Sequence, residues 1–223
     1  YARLGYDPVK DFVPVSIAAV MHHGFAVGPL VPASVKTVKD FLVWAKANPK
    51  DANYGSPAAG STPHFIGALM SLNAGVDLKH VAYRGSVPGV TDVVGGQLAS
   101  MCTPSGDFLQ YHRAGRLRLL ATSGKQRSPF SPDVATFAEQ GFPELTTEEW
   151  FGFYAHSKTP PTVVAAANAA INAALKEKAV IESLAVTGLI AQGSTPEEQS
   201  RSQKAEFERW GPLVKRIGFT AES

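Results

Sequence analysis

The sequence predicts an α/β fold, a sheet with crossover helices, and three observations predict it. Short β-rich stretches alternate with helical ones almost throughout. The hydrophobic fraction of 44% and charged fraction of 18% over 223 residues are those of a chain that buries a core. The 16 prolines and 20 glycines fall between the apolar stretches as punctuation and form no low-complexity block. At this length one large domain and two lobes of roughly 100 residues are both open.

Taken in order, Phe12 to Val20 and Phe25 to Leu30 read as two strands. Thr37 caps a helix whose Val38, Phe41, Leu42 and Ala45 share one face, and Asn48-Pro49 ends it. Asn53 to Gly55 is a short strand. Thr62 to Asn73 carries Phe65, Leu69 and Leu72 at helical spacing, so the glycine-containing segment before it leads from a strand into a helix N-terminus. The unit then repeats. Strand Leu78 to Tyr83 passes through Arg84-Gly85-Ser86 into a helix from Pro88 to Val94, and strand Leu98 to Cys102 passes through Thr103-Pro104-Ser105 into a helix from Gly106 to Arg113. Leu117 to Thr122 is a strand, Ser128 to Asp133 a proline-rich loop, Ala135 to Gln140 a short helix, and Trp150 to Ala155 a strand. From Pro161 the chain is helical, over Val163 to Glu177 and Lys178 to Thr187. A last helix opens at Thr195-Pro196-Glu197-Glu198, a capping box with proline at the first helical position, and runs to Ile217. The alternation is compact over 30–147, whereas 1–29 and 148–223 read as part of another lobe with too few strands of its own.

A net charge of +2, from 21 basic and 19 acidic residues without a long run of either sign, makes no case for nucleic acid or an anionic membrane. The single cysteine, Cys102, excludes an intramolecular disulfide and a cysteine-rich zinc site, and leaves cytoplasm and periplasm open. The most apolar region, 12–32, is interrupted by Pro14, His22-His23, Pro29 and Pro32. It lacks the roughly 20 apolar residues of a span, so no membrane insertion is expected. Nor does the sequence open on a signal peptide; an exported precursor would have lost that segment before residue 1.

The chemistry concentrates in NYGSPAAGSTPHF, Asn53 to Phe65. Gly55 and Gly60 stand five apart and are followed by Ser61-Thr62, the spacing of a phosphate-binding G-x-x-x-x-G-K-[ST] loop with serine in place of lysine. A helix N-terminus offers unpaired N–H groups and about half a positive charge, and small residues let an anion approach. Ser56, Ala58, Ala59, Gly60, Ser61 and Thr62 supply small side chains and three hydroxyls there. Without the lysine a triphosphate is disfavoured, whereas a carboxylate can be satisfied by neutral donors. A tight strand-to-helix turn with an ordinary Ser or Thr cap explains the same residues. Tyr83-Arg84-Gly85-Ser86 adds a second small-residue loop that one sheet would deliver to the same edge.

Other chemistries find less. There is no G-x-S-x-G elbow for a hydrolase, and His64, three residues after Ser61, reads as packing in the first helical turn. His22 and His23 point to opposite faces of a strand and cannot easily share a metal. Cys102 reads as a buried structural thiol, Glu148-Glu149 as a solvated strand entrance, and Trp150 and Phe151 as core.

An ordered series of segments resembles the Bug family, the periplasmic solute receptors of tripartite tricarboxylate transporters (TctC-like). It comprises YDPVKDFVPV at Tyr6 to Val15, NYGS…GST-x-H at Asn53 to His64, HVAYRGSVPGVTDVVGGQ at His80 to Gln97, AGRLRLLATSGKQRSPFSPDVATFAEQGFP at Ala114 to Pro143, WFGFYAHSKTP at Trp150 to Pro160 and the C-terminal TPEE…RW helix. The resemblance implies a two-lobed periplasmic binding protein fold, type II-like, joined by crossing hinge strands. On it, 30–147 is the second lobe, 1–29 and 148–223 are part of the first, and the N-terminal β-α unit is lacking. It implies a periplasmic receptor with no reaction to catalyse, no cofactor and no metal, whose partners are a small carboxylate and membrane transporter subunits. Ser56, Gly60, Ser61 and Thr62 would hold one carboxylate, and Tyr83, Gly85, Ser86 and Thr103 would shape the second-lobe wall. Two departures bear on the ligand. Gly55-Ser56-Pro57-Ala58-Ala59-Gly60-Ser61 loses an asparagine side chain of the family's G-S-S-G-N-G-T, and Cys102-Thr103-Pro104 stands where the family often has F-D-N. A neutral Thr103 predicts a carboxylate without an amino group, a mono- or dicarboxylate or an aromatic acid. A ligand-sensing module of the same fold with a signalling partner stays open as the alternative.

Overall fold

Strand β1 (Phe12–Val27) is one element where the sequence suggested two. The polar His22-His23-Gly24 does not break it because neighbours pair with its backbone on both sides. His23 faces Pro104 and Gly24 faces Thr103 on one side, while the Ser123 N–H donates to His23 O at 2.8 Å on the other. Gly24 also lets side chains lie against the strand; a Cβ there would sit 2.7 Å from Leu119 Cδ1. The computed structural model describes residues 5–220, which group into two compact units, one of 21–148 and one of 5–20 with 149–220. Residues 21–29 therefore belong with the central unit, where the sequence reading had set them with the flanking one. Positions 1–4 and 221–223 of that flanking lobe lie outside the described residues.

The unit of 21–148 contains the end of β1, then α1 (Val38–Ala47), β2 (Asn53–Ser56), α2 (Thr62–Ala74), β3 (Lys79–Ala82), α3 (Ser86–Gly95), β4 (Ser100–Pro104), α4 (Leu109–Arg113) and β5 (Arg118–Thr122). Its strand order is β3-β2-β4-β1-β5. β2 is parallel to β3 and β4, and β1 is antiparallel to β4 and β5. The expected helix caps hold: Thr37 and Asp40 form a reciprocal capping box on α1, whose Val38, Phe41, Leu42 and Ala45 are buried. On α2, Phe65 and Leu69 are buried but Leu72 is 49% exposed, since the helix turns that position away from the sheet. Thr103 and Pro104, expected in a loop, finish β4, and a 3₁₀ turn at Ser105–Phe108 precedes α4. Side chains cover both sheet faces, with Phe25 edge-on to Phe41 at 5.0 Å on one and Ala26, Val93, Met101 and Phe108 on the other. Cys102 is buried, as expected, and its thiol pKa is pushed up by that burial.

In the unit of 5–20 and 149–220, β6 (Glu148–His156) and β7 (Leu189–Ala191) pair with β1. They accompany α5 (Pro161–Ala174), α6 (Lys178–Val186) and α7 (Pro196–Ile217). α7 opens on the predicted capping box of Thr195 and Glu198. Asn168 Nδ2 ties α5 inward by donating to Val15 O at 2.7 Å and Ser194 O at 2.8 Å. The three-residue β7 was not legible in the sequence; it is held by the Gln192 N–H donating to Ala18 O. Phe151 is not core: it is 50% exposed. Among the described residues no helix is long and apolar enough to cross a membrane.

Candidate functional site

The parallel run of β3, β2 and β4 brings three loops to one sheet edge. Ser56 is level with Ala82 and Gly55 with Met101, so Ser56, Tyr83 and Thr103 leave their strands side by side. Backbone bonds lock the loops together: the Tyr83 N–H donates to Ser56 O at 2.9 Å and the Gly85 N–H to Pro57 O at 2.8 Å. Gly85 adopts φ +98°, a left-handed conformation that a side chain would strain, and so turns the chain directly into α3. All ten residues expected at the site thus lie on these loops and strand ends.

Their donors are not equally available. Ser56 is fully buried; its Oγ donates to Ala58 O at 2.9 Å and lies 2.8 Å from His80 Nε2. With the hydroxyl proton directed at Ala58, the imidazole Nε2–H is the donor of that second bond. Ser61 caps α2: its Oγ donates to Ala58 O at 2.7 Å and accepts the His64 N–H at 3.4 Å. The Gly60 N–H donates to His64 Nδ1 at 3.0 Å. Pro63 has no N–H. Among the described residues the fold leaves unengaged the N–H groups of Ala58, Ala59 and Thr62 and the Thr62 hydroxyl, at the positive end of the 13-residue α2.

His80 is the residue that sequence reading passed over. Its ring stacks on His64 with centroids 3.9 Å apart and planes 18° from parallel, and Tyr54 flanks the pair. Burial, then the neighbouring His64, pushes the His80 pKa down to about 4, and burial lowers that of His64. Both rings are neutral at pH 7, so they shape the loop without charging it. Ring stacking across α2 and β3 leaves no signal in local sequence. His64 also does more than pack in the first helical turn, since it holds the Gly60 turn closed. The Ser56–His80 pair has the spacing of a nucleophile and base, but Ser56 has no exposed surface on which a substrate could be attacked.

On the neighbouring strand ends, the Tyr83 hydroxyl donates to Asp92 Oδ2 at 2.8 Å, and its pKa is raised to about 12 by burial and that carboxylate. The ring lies over Gly55 and Gly89, so Tyr83 offers a wall, not a donor. Thr103 is fully buried, with Oγ1 2.7 Å from Ser86 Oγ and 3.0 Å from Asp107 Oδ2.

A separate polar cluster surrounds Glu148, which is no solvated strand entrance. Its carboxylate lies 3.5 Å from His22 Nε2 and 3.6 Å from Lys125 Nζ, and its pKa is held down to about 2, first by the His22 hydrogen bond. In the other unit an open groove of about 830 Å³ is lined by Val13, Pro14, Lys158, Val164 and Arg201, and none of the expected site residues lies there. Among the described residues no group of three or more His, Cys, Asp or Glu side chains is placed to hold a metal ion.

Comparison with known proteins agrees with this architecture. Residues 1–219 match the family described as "Tripartite tricarboxylate transporter family receptor". The protein BugT of Bordetella pertussis is 31% identical over 213 residues, 96% of this chain and 65% of its own. The chain thus spans less than two thirds of the length of such curated relatives. Among solved structures, R. palustris Rpa4515 with adipate superposes with a TM-score of 0.85 at 31% identity, over 98% of this chain and 72% of that one. MatC from Rhodopseudomonas palustris with bound malate gives 0.79 at 27% identity, over 95% and 72%.

Proposed function

The chain belongs to the tripartite tricarboxylate transporter receptor family, and from that premise we propose that it is an extracytoplasmic receptor that captures a small carboxylate for a membrane transporter. In this reading the unit of 21–148 is the second lobe of a two-lobed, type II-like binding protein and 1–20 with 149–223 is part of the first. One observation carries the proposal: the open N-terminus of α2, with the Thr62 N–H and hydroxyl still unengaged, follows a loop whose Pro57 carbonyl accepts the Gly85 N–H at 2.8 Å, at one sheet edge. Such a place suits a carboxylate. It has N–H donors, a helix dipole and neutral histidines, and no lysine for a polyphosphate.

Not every expected contact serves equally. Thr62, with the Ala59 N–H, is the principal carboxylate donor. Ser56, Gly60 and Ser61 hold the loop in shape, Ala58 lends two of them its carbonyl, and Tyr83 walls the site. The neighbours with adipate and malate favour dicarboxylates as the first class to try. A neutral Thr103 speaks against an amino group on the ligand, but Asp107 lies one hydrogen bond behind it, so residue 103 does not decide that question. A sensory partner in place of the transporter has no observation in its favour. The test is a thermal-shift screen of the purified full-length protein against mono-, di- and tricarboxylates, with ATP as control. Stabilisation by carboxylates alone is the expected result; stabilisation by none of them, or by ATP alone, would sink the proposal.

A further inference from the structure

The three groups behind the small-residue loops form a relay whose polarity follows from proton counting. Thr103 Oγ1 has one proton and two neighbours, Ser86 Oγ at 2.7 Å and Asp107 Oδ2 at 3.0 Å. An ionised carboxylate only accepts, so the Thr103 proton goes to Asp107, and Thr103 takes the proton of Ser86 in return. Every proton in the chain then points inward. Ser86 Oγ, half-buried at the outer end on the first turn of α3, is left to present lone pairs. The relay is rigidly held: Thr103 belongs to β4, Asp107 to the 3₁₀ turn that follows it, and the Ser86 turn is fixed by the Gly85 N–H on Pro57 O at 2.8 Å. Pro57 opens the same loop that leads to Thr62, so the turn that carries this acceptor is tied to the loop that carries the donors of α2.

Resting on the carboxylate-receptor reading, we propose that Asp107 is a positioning residue that makes Ser86 a hydrogen-bond acceptor, so that the receptor selects carboxylates bearing a donor next to the carboxylate over their unsubstituted analogues. A hydroxyl or ammonium at that carbon donates to Ser86 Oγ. A methylene there makes no such bond, and the difference is the net worth of one hydrogen bond. The acid of the relay thus acts through two hydroxyls without touching the ligand.

Two ligand triads test it by calorimetric titration of the full-length protein: succinate, malate and aspartate, and 3-phenylpropionate, 3-phenyllactate and phenylalanine. The expected result is that the hydroxy or amino member of a triad binds about five- to tenfold tighter than its unsubstituted analogue, the range of one net hydrogen bond. In Asp107→Asn, whose amide can donate to Thr103 and reverse the relay, that ratio should fall to about twofold or less. Ser86→Ala should abolish the preference in the same way, and a preference it kept would overturn the proposal even if the Asp107 variant does not fold. A ratio kept by either folded variant, or no preference in the parent protein, overturns the role of Asp107 while binding itself upholds the receptor reading. No binding by either triad would overturn both.

Discussion

At the scale of single residues, the loop separates a hydroxyl left unengaged from hydroxyls that build the turn. Thr62 is free to meet a ligand, while Ser61 is spent on the cap of α2 and on Ala58 O. Thr62→Ala should weaken carboxylate binding by about 1–2 kcal/mol, one buried donor to a charged acceptor, as read by calorimetry. Ser61→Ala should lower stability by about 1 kcal/mol, the usual cost of an N-cap, and show mainly as a lower melting temperature. The reverse pattern would exchange their roles. His80 carries a pH signature. An unfolded imidazole takes up a proton near pH 6.5, and the folded His80 only at about 4. Because the folded pKa is the lower, its contribution to stability is complete above pH 6.5 and is lost as pH falls from there through 4. Melting temperatures followed by calorimetry from pH 7.5 to 4 should therefore decline, and His80→Gln should flatten that slope; parallel profiles would show that the stacked pair does not set it.

At the scale of elements, the site depends on how closely α2 lies on the sheet. Gly67 is where the helix meets the Tyr54 ring, and a Cβ there would stand 2.1 Å from Tyr54 Cε2. Tyr54 is nearly fully buried and its hydroxyl donates to His64 O at 3.1 Å, so it cannot swing aside without disturbing the first turn of the helix. Gly67→Ala should cost about 1–3 kcal/mol in urea unfolding through overpacking, although alanine is the better helix former. It should also weaken carboxylate binding, because the displaced N-terminus is the one that carries Thr62. A neutral or stabilising substitution would mean that the helix can rise off the sheet freely.

At the scale of the whole molecule, the proposed receptor, with a net charge of +2, would gain little from long-range attraction and would have to hold an anion by local dipoles. Ligand binding then appears as stabilisation of the native state. A carboxylate at a hundred times its dissociation constant should add about 2.7 kcal/mol, which for a chain of this size raises the melting temperature by about 5–10 °C in a thermal-shift assay. An unchanged melting temperature at that concentration contradicts stoichiometric binding. The sequence by itself determined the α/β alternation, the capping boxes at Thr37 and Thr195, the buried face of α1 and the starting point of α7, and the strand-to-helix position of the small-residue loops. The helix signals among these are written in residues three or four apart, which interact whatever the rest of the chain does. Tertiary structure decided the unbroken β1, the short β7, the exposure of Phe151, the stacking of His80 on His64, and the placing of Asp107 behind Thr103. It also decided which hydroxyl protons remain for a ligand. A strand's continuity depends on the partners beside it, and a hydroxyl has one proton to give, which goes to whichever acceptor the fold brings nearest.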